Sequence, residues 1–210
     1  MDNNENMVIR CLKGKERVRE RLPVFLRGDN YANSAILMLI DMYTAELMRG
    51  RCERVKLDIL ENKVQISSRK NGFDLFKTKD GVALNLGRWV LEEFGDPYNF
   101  GRRNISEGEV VYCIIQYISK SFKLISYVNN TKQILNYKDG DYCGCGTMDI
   151  PTVGDSTLVL EFELDEELLQ NKPDADVILN EFRKVVKTLG ASQITSNIDL
   201  SITTMAKKEE

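Results

Sequence analysis

Apolar residues recur at helical spacing in several stretches of the chain, most clearly between residues 31 and 49. In that stretch an apolar residue returns to the same side every three or four positions, which is the pattern of an amphipathic helix. Asp29 or Asn30 can cap the start of this helix, and Gly50 can end it. Similar patterns predict helices at residues 14–21, 84–94, 110–118 and 174–189.

Other stretches alternate apolar and polar residues, which is the pattern of β-strands with one buried face. The polar turn 61–63 predicts one hairpin, and the turn at Asn129 and Asn130 predicts another. The predicted strands cover residues 55–59, 64–66, 122–128, 132–137, 157–162 and 198–202. Turn-forming residues between these elements predict loops at 67–72, 95–104 and 139–155.

The order of these elements favours an α+β fold. Strand pairs are separated by helices, but helices and strands do not alternate strictly, as they do in parallel α/β folds. We therefore expect a two-layer sandwich, with a mixed, mostly antiparallel β-sheet and helices on one face. The chain has 210 residues. Because it contains no repeat and no linker-like segment, we expect a single domain over residues 1–210.

The composition narrows the possible chemistry. The chain contains no histidine, which excludes a Ser-His-Asp triad, a Cys-His pair and any zinc site with histidine ligands. Its formal net charge is -3, so it does not bind nucleic acid as a polycation would. The amino-terminal residues are polar, and no apolar stretch approaches the ~20 residues that a membrane span needs. We expect a cytoplasmic protein that does not associate with membranes.

The chain has five cysteines, which we expect to be reduced in the cytoplasm. Only Cys143 and Cys145 are close in sequence, and each is followed by a glycine. A metal site or a redox pair there would need further ligands or a resolving partner. We therefore favour a glycine-rich turn that holds two thiols.

Two motifs near the amino terminus resemble a known family. Residues 12–21 read LKGKERVRER, and residues 23–29 read PVFLRGD. The N-terminal ATPase domains of DNA gyrase B and of its topoisomerase IV counterpart carry a very similar run, L-x-G-x-E-x-V-R-x-R-P-x-M-Y-I-G. The resemblance extends through weaker matches along nearly the whole chain. It implies the GHKL (Bergerat-type) ATP-binding fold, without the transducer domain or the metal-binding cleavage domain of a complete topoisomerase.

The resemblance assigns residues of the long helix to the nucleotide site of the family. There, a glutamate of this helix activates water and an asparagine holds Mg²⁺; the corresponding residues here are Met38 and Met42. Asp41 and Glu46 match the family pattern. A thioether cannot abstract a proton and is a poor ligand for Mg²⁺, so we expect no catalytic residue at these positions. We interpret both methionines as packing residues.

The segments that bind adenine and phosphate in the family also differ in this chain. The family loop D-D-G-R-G corresponds to SRKNG, so that Ser68 replaces the adenine-binding aspartate and Gly72 matches the last glycine. By the same resemblance, Thr157 corresponds to the threonine that supports this aspartate, and Arg102 belongs to the same pocket. The glycine-rich lid corresponds to residues 106–111, which read SEGEVV and place two carboxylates where they would repel phosphate.

These differences leave three hypotheses about function. The first is a pseudo-ATPase that acts as a binding or regulatory module. The second is a working ATP-binding domain, related to the topoisomerases, with a rearranged site. Its new ligands would come from Asp41, Glu46, Arg69, Lys70 or Arg102. The third is an assembly subunit whose old pocket is filled.

The three hypotheses require different cofactors, whereas the partner that we expect is the same for all of them. We expect no cofactor under the first and third hypotheses, and ATP with Mg²⁺ only under the second. We expect a protein partner, either a second copy of the chain or a topoisomerase subunit. The sequence leaves binding to nucleic acid open.

Overall fold

The computed structural model describes residues 14–49, 52, 54–69, 76–79, 82–85, 107–128, 130–150, 157–188 and 198–200. The helices within these ranges are α1 (Gly14–Glu20), α2 (Leu22–Phe25), α3 (Tyr31–Met48), α4 (Glu107–Tyr117), α5 (Glu166–Leu169) and α6 (Ala175–Thr188). The strands are β1 (Val55–Leu60), β2 (Lys63–Arg69), β3 (Phe76–Lys79), β4 (Val82–Asn85), β5 (Ser119–Val128), β6 (Thr131–Lys138), β7 (Asp141–Asp149), β8 (Thr157–Leu164) and β9 (Ile198–Leu200).

One large sheet contains most of the strands. Seven strands pair in the order β7-β6-β5-β8-β2-β1-β9. Neighbouring strands in it are antiparallel, except that β1 and β9 run parallel. β3 and β4 form a separate antiparallel hairpin. The prediction of an α+β fold with a mixed, mostly antiparallel sheet is confirmed.

The large sheet has one buried face and one face that carries mostly polar side chains. In β2, Val64 and Ile66 are buried, whereas Lys63 and Gln65 are exposed. The buried face and α3 share one core, in which Ile36 of α3 has no exposed surface. The strands therefore alternate as the sequence predicts, and the helices cover the buried face.

Polar caps connect the start of α3 to the start of α6. The Oδ1 atom of Asn30 accepts a hydrogen bond from the backbone N–H of Asn33 at 3.0 Å, which caps α3. The Oδ1 atom of Asn33 accepts from the backbone N–H of Asp174 at 2.7 Å. Asp174 in turn caps α6 by accepting from the N–H groups of Asp176 and Val177. Both predicted helices are confirmed, and their starts are fixed to each other.

The prediction of a loop at residues 139–155 is wrong for most of that range. Residues Asp141–Asp149 form β7, which pairs antiparallel with β6. Two glycines weaken a strand but do not prevent pairing. The turn is confined to Asp139 and Gly140, whose φ angles are 51° and 80°. Cys143 and Cys145 therefore lie in a strand and not in a glycine-rich turn.

Smaller differences concern the neighbouring predictions. β2 continues to Arg69, so the loop predicted at 67–72 starts too early. Residues 84 and 85 lie in β4 and not in the helix predicted at 84–94. The remainder of that helix and the loop at 95–104 lie outside the described residues. None of the helices that the structure describes is long and apolar enough to span a membrane.

Candidate functional site

Three buried hydroxyl groups meet where α3, α4 and β2 come together. The hydroxyls of Tyr43 on α3 and Tyr112 on α4 lie 2.9 Å apart, within hydrogen-bond distance. The side chain of Ser68, near the end of β2, also hydrogen-bonds to Tyr43. The exposed fractions of these residues are 1% for Tyr43, 8% for Tyr112 and 2% for Ser68. We call this group the hydroxyl cluster.

Burial keeps the hydroxyl cluster uncharged. Desolvation raises the pKa of Tyr43 to about 12, although its hydrogen bonds to Tyr112 and Ser68 act in the opposite direction. Desolvation also raises the pKa of Tyr112 well above its usual value. Cys52, whose thiol lies 3.9 Å from the backbone carbonyl oxygen of Tyr43, has its pKa raised to about 12 by burial. Near neutral pH these groups are hydrogen-bonding partners and not nucleophiles.

The two methionines of α3 pack into the protein. Met42 is 8% exposed and belongs to the core cluster. Met38, one turn earlier, is half-buried and packs against that cluster. The positions that the resemblance assigns to the general base and to the Mg²⁺ ligand thus carry apolar side chains in apolar contact.

Asp41, unlike the two methionines, does not pack into the core. It lies on the exposed side of α3, and the protein nevertheless raises the pKa of its carboxyl above the usual value by desolvation. Among the side chains that the structure describes, no group of three histidine, cysteine, aspartate or glutamate residues is placed to hold a metal ion.

β2 and β8 carry two of the residues assigned to adenine recognition, Ser68 and Thr157. In the register of these strands, Ser68 lies opposite Leu158, and Arg69 lies opposite Thr157. Ser68 and Thr157 are therefore one position out of register on adjacent strands, and because successive residues of a strand alternate between the two faces, the two positions lie on opposite faces of the sheet. Gly72 and Arg102 lie outside the described residues.

The lid segment also differs from a glycine-rich loop. Its residues from Glu107 onward form the first turns of α4. The first four N–H groups of a helix have no partner within the helix, so this change of backbone does not by itself remove groups that could bind phosphate.

The sequence did not identify the hydroxyl cluster as a candidate site. Tyr43 could be read as part of the apolar stripe of α3, because its ring is buried like that of a phenylalanine. Its partner Tyr112 is 69 positions away in the chain. No spacing rule connects the two, so only the fold reveals the contact.

A shallow concavity of about 520 Å³ lies on the polar face of the sheet, which is not where the hydroxyl cluster lies. Lys123 and Glu161 form an ion pair in it at 3.1 Å. Gln65 donates to the other oxygen of the same carboxylate at 2.9 Å. Because these charged and polar groups satisfy one another, we do not regard the concavity as the candidate site.

The fold is α+β, with helices that cover one face of a mostly antiparallel sheet. The chain is similar to the 43K ATPase domain of Thermus thermophilus gyrase B, whose crystal structure was determined in complex with an aminocoumarin. The TM-score is 0.69 at 15% sequence identity, over 94% of this chain and 51% of that chain. This chain thus spans about half the length of that gyrase fragment. At this identity the likeness establishes the fold alone.

Comparisons by sequence do not assign the chain to a family. No family model matches it. No curated protein matches it either.

Proposed function

We propose that this chain is a gyrase-B-like domain that has lost ATP hydrolysis and acts as a binding, regulatory or assembly module. The observation that carries the proposal is the pair Met38 and Met42. Both side chains pack against the core at the positions where relatives would hold the general base and the Mg²⁺ ligand. A thioether provides neither a proton acceptor nor an oxygen ligand.

The hydroxyl cluster supports the same proposal. The resemblance assigns the adenine-binding carboxylate to the position of Ser68, which is 2% exposed and hydrogen-bonded to Tyr43. An adenine amino group would have to compete with that internal bond for a neutral hydroxyl. A neutral acceptor makes a weaker hydrogen bond than a carboxylate, so little affinity for adenine remains at this position.

Two measurements on the full chain test the proposal. We expect no Mg²⁺-dependent release of phosphate from ATP above the level of a protein-free control. We also expect millimolar ATP or ADP to leave the melting temperature unchanged within 1 °C or so. A ligand at a hundred times its dissociation constant would add ~2.7 kcal/mol, or roughly 5–10 °C for a domain of this size. Phosphate release that scales with protein concentration would refute the proposal.

One observation favours the alternative, a working ATP-binding domain with a rearranged site. Asp41 matches the family pattern and has a raised carboxyl pKa, and perturbed pKa values are common at functional sites. Asp41→Asn distinguishes the two proposals, because the substitution keeps size and polarity. If the wild type hydrolyses ATP or is stabilised by it, and Asp41→Asn abolishes that effect, the alternative is correct. Glu16→Gln on α1, far along the chain from this position, serves as the charge-matched control.

We propose further that the module acts in the cytoplasm without a cofactor and through a protein partner. A topoisomerase subunit and a second copy of the chain are the two partners that follow from the resemblance. Capture of the purified chain on immobilised gyrase subunits, compared with capture on itself, separates them.

A further inference from the structure

We draw no further inference here: the strongest candidate, the apolar side-chain cluster that Ile125, Ile134 and Val159 form on the polar face of the large sheet, carries no proposal, because nothing in the part of the chain that the structure describes shows what covers it.

Discussion

The hydroxyl cluster offers the most direct test of how α3, α4 and β2 are held together. Replacing Tyr43 by phenylalanine removes one oxygen and keeps the ring, which also makes an edge-to-face contact with Tyr112 at a centroid distance of 6.5 Å. Because only one oxygen is removed, the substitution creates no sizeable cavity. Any change in stability therefore measures the loss of the hydrogen bonds. The oxygen that is lost bonds to both Tyr112 and Ser68.

The expected cost follows from the number of bonds that each substitution breaks. A buried hydrogen bond between neutral groups contributes about 1 kcal/mol, and a buried hydroxyl left without that partner costs about 1–3 kcal/mol. We expect Tyr43→Phe, which breaks two bonds, to lower the free energy of unfolding by about 2–3 kcal/mol. Tyr112→Phe breaks only the bond to Tyr43, and we expect about 1 kcal/mol.

Urea denaturation of the two single variants and of the double variant measures the coupling between the hydroxyls. A direct bond predicts a coupling free energy of about 1 kcal/mol, because the second substitution has no bond left to break. Tyr127→Phe is the control, since this tyrosine is only half-buried and should change stability by less than about 0.5 kcal/mol. Additive single effects would mean that the two tyrosines do not bond, and the account of the cluster would be wrong.

Three further predictions follow from the same region. Met42→Asn restores the family residue, but we expect it to release no phosphate from ATP. It should lower the free energy of unfolding by about 3 kcal/mol, because it buries an amide in the core. Phosphate release by this variant, or an unchanged midpoint in urea, would contradict the prediction. Because burial raises the pKa of Tyr43 from about 10 in the unfolded chain to about 12, its contribution to stability is complete below pH ~10 and is lost as the pH rises through 12. Urea midpoints at high pH should thus fall less for Tyr43→Phe than for the wild type, and equal slopes would exclude the effect. The raised pKa of the Cys52 thiol predicts that a thiol reagent modifies it slowly in the folded protein. The exposed Cys145 should react at once. Equal reaction rates of the two thiols would show that Cys52 is accessible.

Local patterns in the sequence predicted most of the framework. The stripe of α3 and the alternation in β2 depend on residues close together in the chain, and burial then follows from periodicity. β7 was missed because its glycines and aspartates resemble a loop, whereas the strand depends on β6, with which it pairs. The contact of Tyr43 with Tyr112 could not be predicted at all, since it depends on how α4 docks onto α3.

The position of β8 in the sheet also determines when the chain can fold. Leu160 in the middle of β8 lies opposite Ile66 of β2 on one side and Leu124 of β5 on the other. β8 therefore joins the two halves of the sheet, although it is synthesised after nearly all of the other strands in that sheet. Until it emerges from the ribosome, β2 and β5 each present a long unpaired edge with an apolar face, which is the type of surface that causes nascent chains to aggregate. The core of this protein must consequently close late, through contacts between distant residues, and we expect slow folding and a dependence on chaperones during synthesis.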